Sequence, residues 1–155
     1  MRPIIWSFLL LLLVASCSKE DDAAAQQLET DIALIDAWLA DQGLVAESTS
    51  SGLRYIIEDP GNGTSFPTSS SFVTVAYVGK LLDGTIFEAS PGGNPPSFSL
   101  SGTIKGWREG IPKFRKGGKG KLLIPSGLAY GAYSPSSKVP ANAVLIFDIQ
   151  LIDFQ

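Results

Sequence analysis

"AVLIFDIQLIDF", residues 143–154, alternates with the two-residue period of a β-strand. Val144, Ile146, Asp148, Gln150 and Ile152 fall on one face, and Leu145, Phe147, Ile149 and Leu151 on the other. The second set is wholly apolar, so it faces a core and takes Phe147 with it. The same β-branched and aromatic bias, bounded by Gly, Pro, Asn and Ser, marks strands at 53–58 (LRYIIE), 72–81 (FVTVAYVGKL), 97–100 (SFSL) and 119–125 (KGKLLIP). Between the last two lies "IKGWREGIPKF", 104–114, which does not alternate, and Pro112 limits it to a short helix. A sheet with one short internal helix is an α+β fold in which the sheet wraps that helix. Trp107, between Gly106 and a run of charge, is too large to leave on the surface at low cost, since an aromatic of its class buries roughly 150–250 Å².

Toward the amino terminus the pattern changes. "AESTSSG", 46–52, has no apolar periodicity and reads as a hinge. Ahead of it, Leu28, Ile32, Ile35 and Leu39 recur at four, three and four residues, one face of an amphipathic helix that Gly43 stops. Packing on the domain as a spacer is the first use of that face. Pairing two chains into a weak homodimer through residues 28–42 is the second, although two heptads fall short of a coiled coil. "MRPIIWSFLLLLLVASCSKEDD" opens with Arg2 and runs apolar from Ile4 to Val14. That run is about half the 20 or so residues a spanning helix needs, so it reads as a secretory signal. "VASC", 14–17, resembles a bacterial lipobox, which implies lipidation of Cys17, attachment to a membrane leaflet and a place in the cell envelope; Ser18 in place of aspartate favours the outer membrane. The chain thus divides into a signal at 1–17, a polar tether with its helix at 18–50, and one folded domain at 51–155.

Composition narrows the chemistry. Twelve Lys and Arg against fifteen acids give a net charge of −3 and no basic stripe, so nucleic acid is not an expected partner. The chain has no histidine and one cysteine. A Ser-His-Asp triad, an internal disulfide and a histidine or thiolate metal cluster are all excluded, and neither a cofactor nor a metal is expected.

Four segments, "VAYVGKLLDGTIFEAS" (75–90), "IKGWREGI" (104–111), "GGKGKLLIPSGLAYG" (117–131) and "VPANAVLIFDIQLI" (139–152), occur in an order and spacing similar to the FKBP-type peptidyl-prolyl cis/trans isomerases. The resemblance implies a five- to six-stranded antiparallel half-barrel curled over one short helix, preceded here by the separate amphipathic helix, with an apolar cleft between sheet and helix. It implies Trp107 as the cleft floor, Tyr77, Phe87 and Phe147 as its walls, and Glu88 and Tyr130 as polar partners of the substrate. Phe98, Thr103, Ile104 and Val139 match positions that hold the substrate. The activity implied is rotation about Xaa-Pro bonds of exported or surface polypeptides, with a non-catalytic holdase or assembly module as the alternative. Several positions depart from the family pattern. Glu88 stands where aspartate is usual, and its extra methylene is expected to displace its contacts with Tyr77 or the twisting amide. The loop "PGGNPP", 91–96, is short and lacks the arginine that often pairs with that acid, and Thr103 replaces a common valine.

Overall fold

The computed structural model describes residues 17–155, with side chains from Glu20 onward. The expected signal segment and the Cys17 side chain lie outside the described residues. An α-helix, α1 (Cys17–Asp41), precedes seven strands: β1 (Glu47–Ser48), β2 (Arg54–Asp59), β3 (Phe72–Lys80), β4 (Ile86–Ala89), β5 (Ser97–Ser99), β6 (Lys119–Ile124) and β7 (Leu145–Phe154). A second short helix, α2 (Lys105–Gly110), lies between β5 and β6. All pairings are antiparallel, in the order β1-β2-β6-β7-β3-β4, and β5 pairs with the first part of β3.

The sheet therefore has seven strands where five or six are expected. β4 and β1 are too short to show alternation, and β1 forms inside the segment read as a hinge, where Glu47 opposes Tyr55 and accepts a 2.7 Å hydrogen bond from its hydroxyl. The helix is also longer than its apolar stripe. It begins at Cys17, through a polar, alanine-rich stretch that has no periodicity but strong helix formers.

β7 pairs along its length with β6 and β3, so its two faces organise the molecule. Leu145, Phe147, Ile149 and Leu151 form the inner core with Val73 and Val75 of β3, Leu122 and Ile124 of β6, and Trp107, Ile111 and Phe114 from the α2 segment. α2 approaches this face through glycines one turn apart. A Cβ on Gly106 would lie 2.4 Å from Ile124 Cγ2, and one on Gly110 2.6 Å from Leu122 Cδ2. No other residue allows that backbone to lie so near β6. Pro112 then terminates the helix in a 3-10 turn at Ile111–Lys113.

On the outer face, Ile35 and Leu39 of α1 pack against Leu123, Val144 and Ile146. The helix is laid on the sheet of its own chain, and the β7 face that holds Val144 and Ile146 is buried where α1 crosses it. Beyond that footprint the outer face turns ionic: Asp148 accepts hydrogen bonds from Lys80 and Lys121, and Lys121 also reaches Glu58 at 3.1 Å. Half-exposed pairs of this kind contribute about 1 kcal/mol or less each. Among the described residues, no helix is long and apolar enough to cross a membrane.

Candidate functional site

Between α2 and the inner face of β3 and β5 a cleft of about 300 Å³ opens, lined by Tyr77, Glu88, Phe98, Gly102, Thr103, Ile104, Trp107, Tyr130 and Phe147. Its floor is set by the start of α2. Ile104 is the N-cap, its carbonyl accepts the Trp107 N–H at 3.0 Å, and Gly106 and Gly110, on either side of Trp107 in the chain, keep α2 close to β6 while the indole turns the other way.

Three rings frame the indole: Tyr77 at 5.0 Å and Phe147 at 5.1 Å, both edge-on, and Phe98 at 5.4 Å, tilted by 40°. These separations are the favourable aromatic range, worth about 0.5–1.5 kcal/mol per pair beyond area burial. The indole is 5% exposed, and its Nε1–H is buried without an acceptor among the described residues. Phe147 is braced from behind: Phe87 meets it edge-on at 5.6 Å, and the two rings close over Gly79, where a Cβ would lie 2.6 Å from Phe87 and 2.9 Å from Phe147.

The polar rim is equally ordered. Ser90 binds the backbone of Tyr77 three times: its N–H and its hydroxyl donate to the Tyr77 carbonyl at 2.9 and 3.3 Å, and its hydroxyl oxygen accepts the Tyr77 N–H at 3.0 Å. This clamps the end of β4 so that the Tyr77 hydroxyl donates to Glu88 Oε1 at 3.0 Å. The extra methylene of Glu88 leaves the contact with Tyr77 in place, against the displacement expected from sequence. Burial first, then the Glu88 carboxylate, push the Tyr77 phenol up to about 12. Burial, with the charge of Glu88, likewise raises Tyr130. Both phenols therefore keep their protons through neutral pH; the Tyr77 O–H is donated to Glu88, and Tyr130 carries its O–H at the edge of an apolar hollow.

The structure brings Tyr77, Glu88, Phe98, Thr103, Ile104, Trp107, Tyr130 and Phe147 to this one cleft. Phe87 stands behind Phe147, and Val139, 2% exposed, is part of the core beneath its bridge to Ser136. Gly102, in the 3-10 turn Leu100–Gly102, lines the cleft although no sequence signal singles it out. A larger and shallower depression of about 500 Å³, lined by Ser69, Ser70, Ser101, Lys105, Arg108 and Glu109, has no apolar floor.

An apolar volume at the small end of ligand sites, with few convergent donors, can strip water from a single ring and its flanking backbone and orient one carbonyl. Its one carboxylate, Glu88, accepts the Tyr77 hydroxyl.

The family model for FKBP-type peptidyl-prolyl cis-trans isomerases matches residues 63–152. An FKBP-type peptidyl-prolyl cis-trans isomerase FkpA of Buchnera aphidicola is 45% identical over 108 residues, covering 69% of this chain and 42% of that protein. The crystal structure of FkpA from Escherichia coli superposes with a TM-score of 0.71 at 37% identity, over 89% of this chain and 63% of that one. The peptidyl-prolyl cis-trans isomerase structure from Pseudomonas syringae gives a TM-score of 0.72 at 30% identity, over 84% of this chain and 95% of that one. The chain spans about two fifths of the length of the curated FkpA relatives it matches. With the motif order, the sheet, the short helix and the aromatic cleft in agreement with these matches, the chain belongs to the FKBP-type peptidyl-prolyl cis-trans isomerase family.

Proposed function

We propose that this chain is a peptidyl-prolyl cis/trans isomerase acting on Xaa-Pro bonds of exported or surface polypeptides. The observation that carries the reading is the indole of Trp107, framed by three rings at 5.0–5.4 Å beneath an open cleft. A proline ring rests on that floor, while the Tyr130 hydroxyl donates to a substrate carbonyl. Rotation about the amide C–N bond faces a barrier of about 18–20 kcal/mol because resonance places charge on oxygen. At the twisted transition state that resonance is lost and the bond is less polar, so a water-poor cleft disfavours the planar form more than the twisted one. No proton need be removed, which suits a site without histidine. Lowering the barrier by about 4 kcal/mol gives roughly a thousandfold acceleration of a process that otherwise takes about 10–100 s.

The test is cis/trans isomerisation of short Xaa-Pro peptides over a panel of preceding residues. Acceleration that falls at least about tenfold in Phe147→Ala, a loss of about 1.4 kcal/mol of transition-state stabilisation, supports the reading. A background rate with the unaltered chain overturns it and leaves a holdase. The apolar run at 4–14 and the "VASC" segment further support anchoring through a lipidated Cys17 to an envelope leaflet, with the outer membrane favoured by Ser18. Labelled fatty acid incorporated by the native chain but not by Cys17→Ser tests this.

A further inference from the structure

One carboxyl group in the helix ahead of the sheet has no part in the cleft yet is tied to it. Asp31 of α1 is fully buried, a rare state for a carboxylate unless it is paired. It lies on the same helical stripe as Leu28, Ile35 and Leu39, where an apolar side chain would pack without cost. Its partners are all neutral donors: Gln27 Nε2 to Oδ1 at 2.8 Å, and both the N–H and the hydroxyl of Ser126 to Oδ2, at 2.7 and 2.6 Å.

Ser126, also fully buried, opens the 3-10 turn Ser126–Leu128 that follows β6. Its carbonyl accepts the N–H of Ala129 at 2.9 Å and of Gly131 at 2.8 Å, the residues on either side of Tyr130. Gly131 in turn accepts the Asn142 N–H at 2.7 Å. A single residue, Ser126, therefore suspends the backbone around Tyr130 through its carbonyl, while its N–H and hydroxyl are gripped by Asp31. Apolar contacts of Ile35 and Leu39 already hold α1 to the sheet, so this costly buried carboxyl group serves something more local.

We propose that Asp31 is a positioning residue for the cleft: through Ser126 it fixes the loop that aims the Tyr130 hydroxyl, so the helix on the outer face tunes chemistry on the inner face. The inference rests on the isomerase reading for the role of Tyr130, and on the hydrogen bonds alone for the coupling.

The experiment is a double-mutant cycle in the full chain, with Asp31→Ala, Tyr130→Phe and both together, read as kcat/KM on an Xaa-Pro peptide well below the unfolding temperature. Asp31→Ala is expected to lower kcat/KM by about tenfold when Tyr130 is present, as the loss of a buried hydrogen-bonded link predicts. In the Tyr130→Phe chain the same change should matter less than about twofold, because nothing remains to be aimed. Equal losses in the two backgrounds would overturn the proposal and leave Asp31 a purely structural group. Ser126→Ala, a milder cut of the same link, carries the cycle if Asp31→Ala does not fold. Amide hydrogen exchange separates this inference from the activity itself. Protection at Ala129 and Gly131 should fall at least about tenfold while the β6 amides hold, and unchanged protection at Ala129 and Gly131 would overturn the coupling even in a chain without turnover.

Discussion

Replacing Trp107 tests the burial argument and the site argument together. The side chain is 5% exposed and touches three rings. Truncation to alanine forfeits roughly 150–250 Å² of buried surface, about 4–6 kcal/mol at ~25 cal/mol per Å². The indole Nε1–H, however, is buried without an acceptor among the described residues, and losing an unsatisfied donor returns about 1–3 kcal/mol. The expected net cost of Trp107→Ala is about 3 kcal/mol, at the lower end of the range for such changes. Trp107→Phe keeps a ring and discards the stranded donor, so its expected cost is within about 1 kcal/mol of zero. Urea titration followed by far-ultraviolet circular dichroism gives both numbers without relying on the indole as reporter. In parallel, Trp107→Ala should lose at least about tenfold in kcat/KM, and Trp107→Phe less. If the phenylalanine variant proves as unstable as the alanine variant, the donor is satisfied in solution and the reasoning about the floor of the cleft fails.

Three other outcomes follow from the same geometry. Tyr77, pushed up to about 12 by burial and then by Glu88, has a folded pKa above its unfolded value of about 10; its contribution to stability is full below that unfolded value and declines as pH rises toward the folded one. Phenolate absorbance should show Glu88→Gln lowering this ionisation only part of the way, because burial is the larger cause; a full return to 10 would contradict that ranking. Gly106→Ala would gain about 1 kcal/mol from helix propensity alone, but its Cβ would sit 2.4 Å from Ile124 Cγ2. It should therefore destabilise by about 1–3 kcal/mol and reduce turnover as α2 shifts, and a raised melting temperature would show that α2 has room to move. Ile35→Ala, at a site of zero exposure, should cost about 2–5 kcal/mol by denaturant titration, and a loss under about 1 kcal/mol would mean that α1 is not held on the sheet.

How much of this could be read in the residues depends on whether the cause was local. Alternation in 145–154 correctly aims Phe147 into the core. Val144 and the first three residues of that segment, Leu145, Ile146 and Phe147, form an unbroken apolar run of the kind that marks a strand covered on both faces. Alternation alone groups Val144 and Ile146 with Asp148 and Gln150 and does not show that α1 covers them, leaving them 4% and 3% exposed. The cleft was legible through motif order, since Trp107, Tyr77, Phe98 and Tyr130 do converge. Phe87 and Val139 share those motifs but stand one layer back, and neither strand period nor spacing separates a wall from its brace. The link from Asp31 to Ser126 joins residues far apart in the chain and carries no periodic signature. The early turns of α1 were hidden for another reason, because alanine and polar residues make a helix without making a stripe.

That early part of α1 has a mechanical consequence. Residues 20–26 are exposed, and the first partly covered side chain is Gln27. From Cys17 to Gln27 the helix rises about 15 Å, a stiff rod rather than a slack leash. The Cys17 end of α1 is thus carried at a set standoff from the part of the helix that packs on the outer face of the sheet. One residue added to the rod would swing its Cys17 end by about 100° around the helix axis while leaving every wall of the hollow untouched, so reach and heading can be adjusted independently of the cleft.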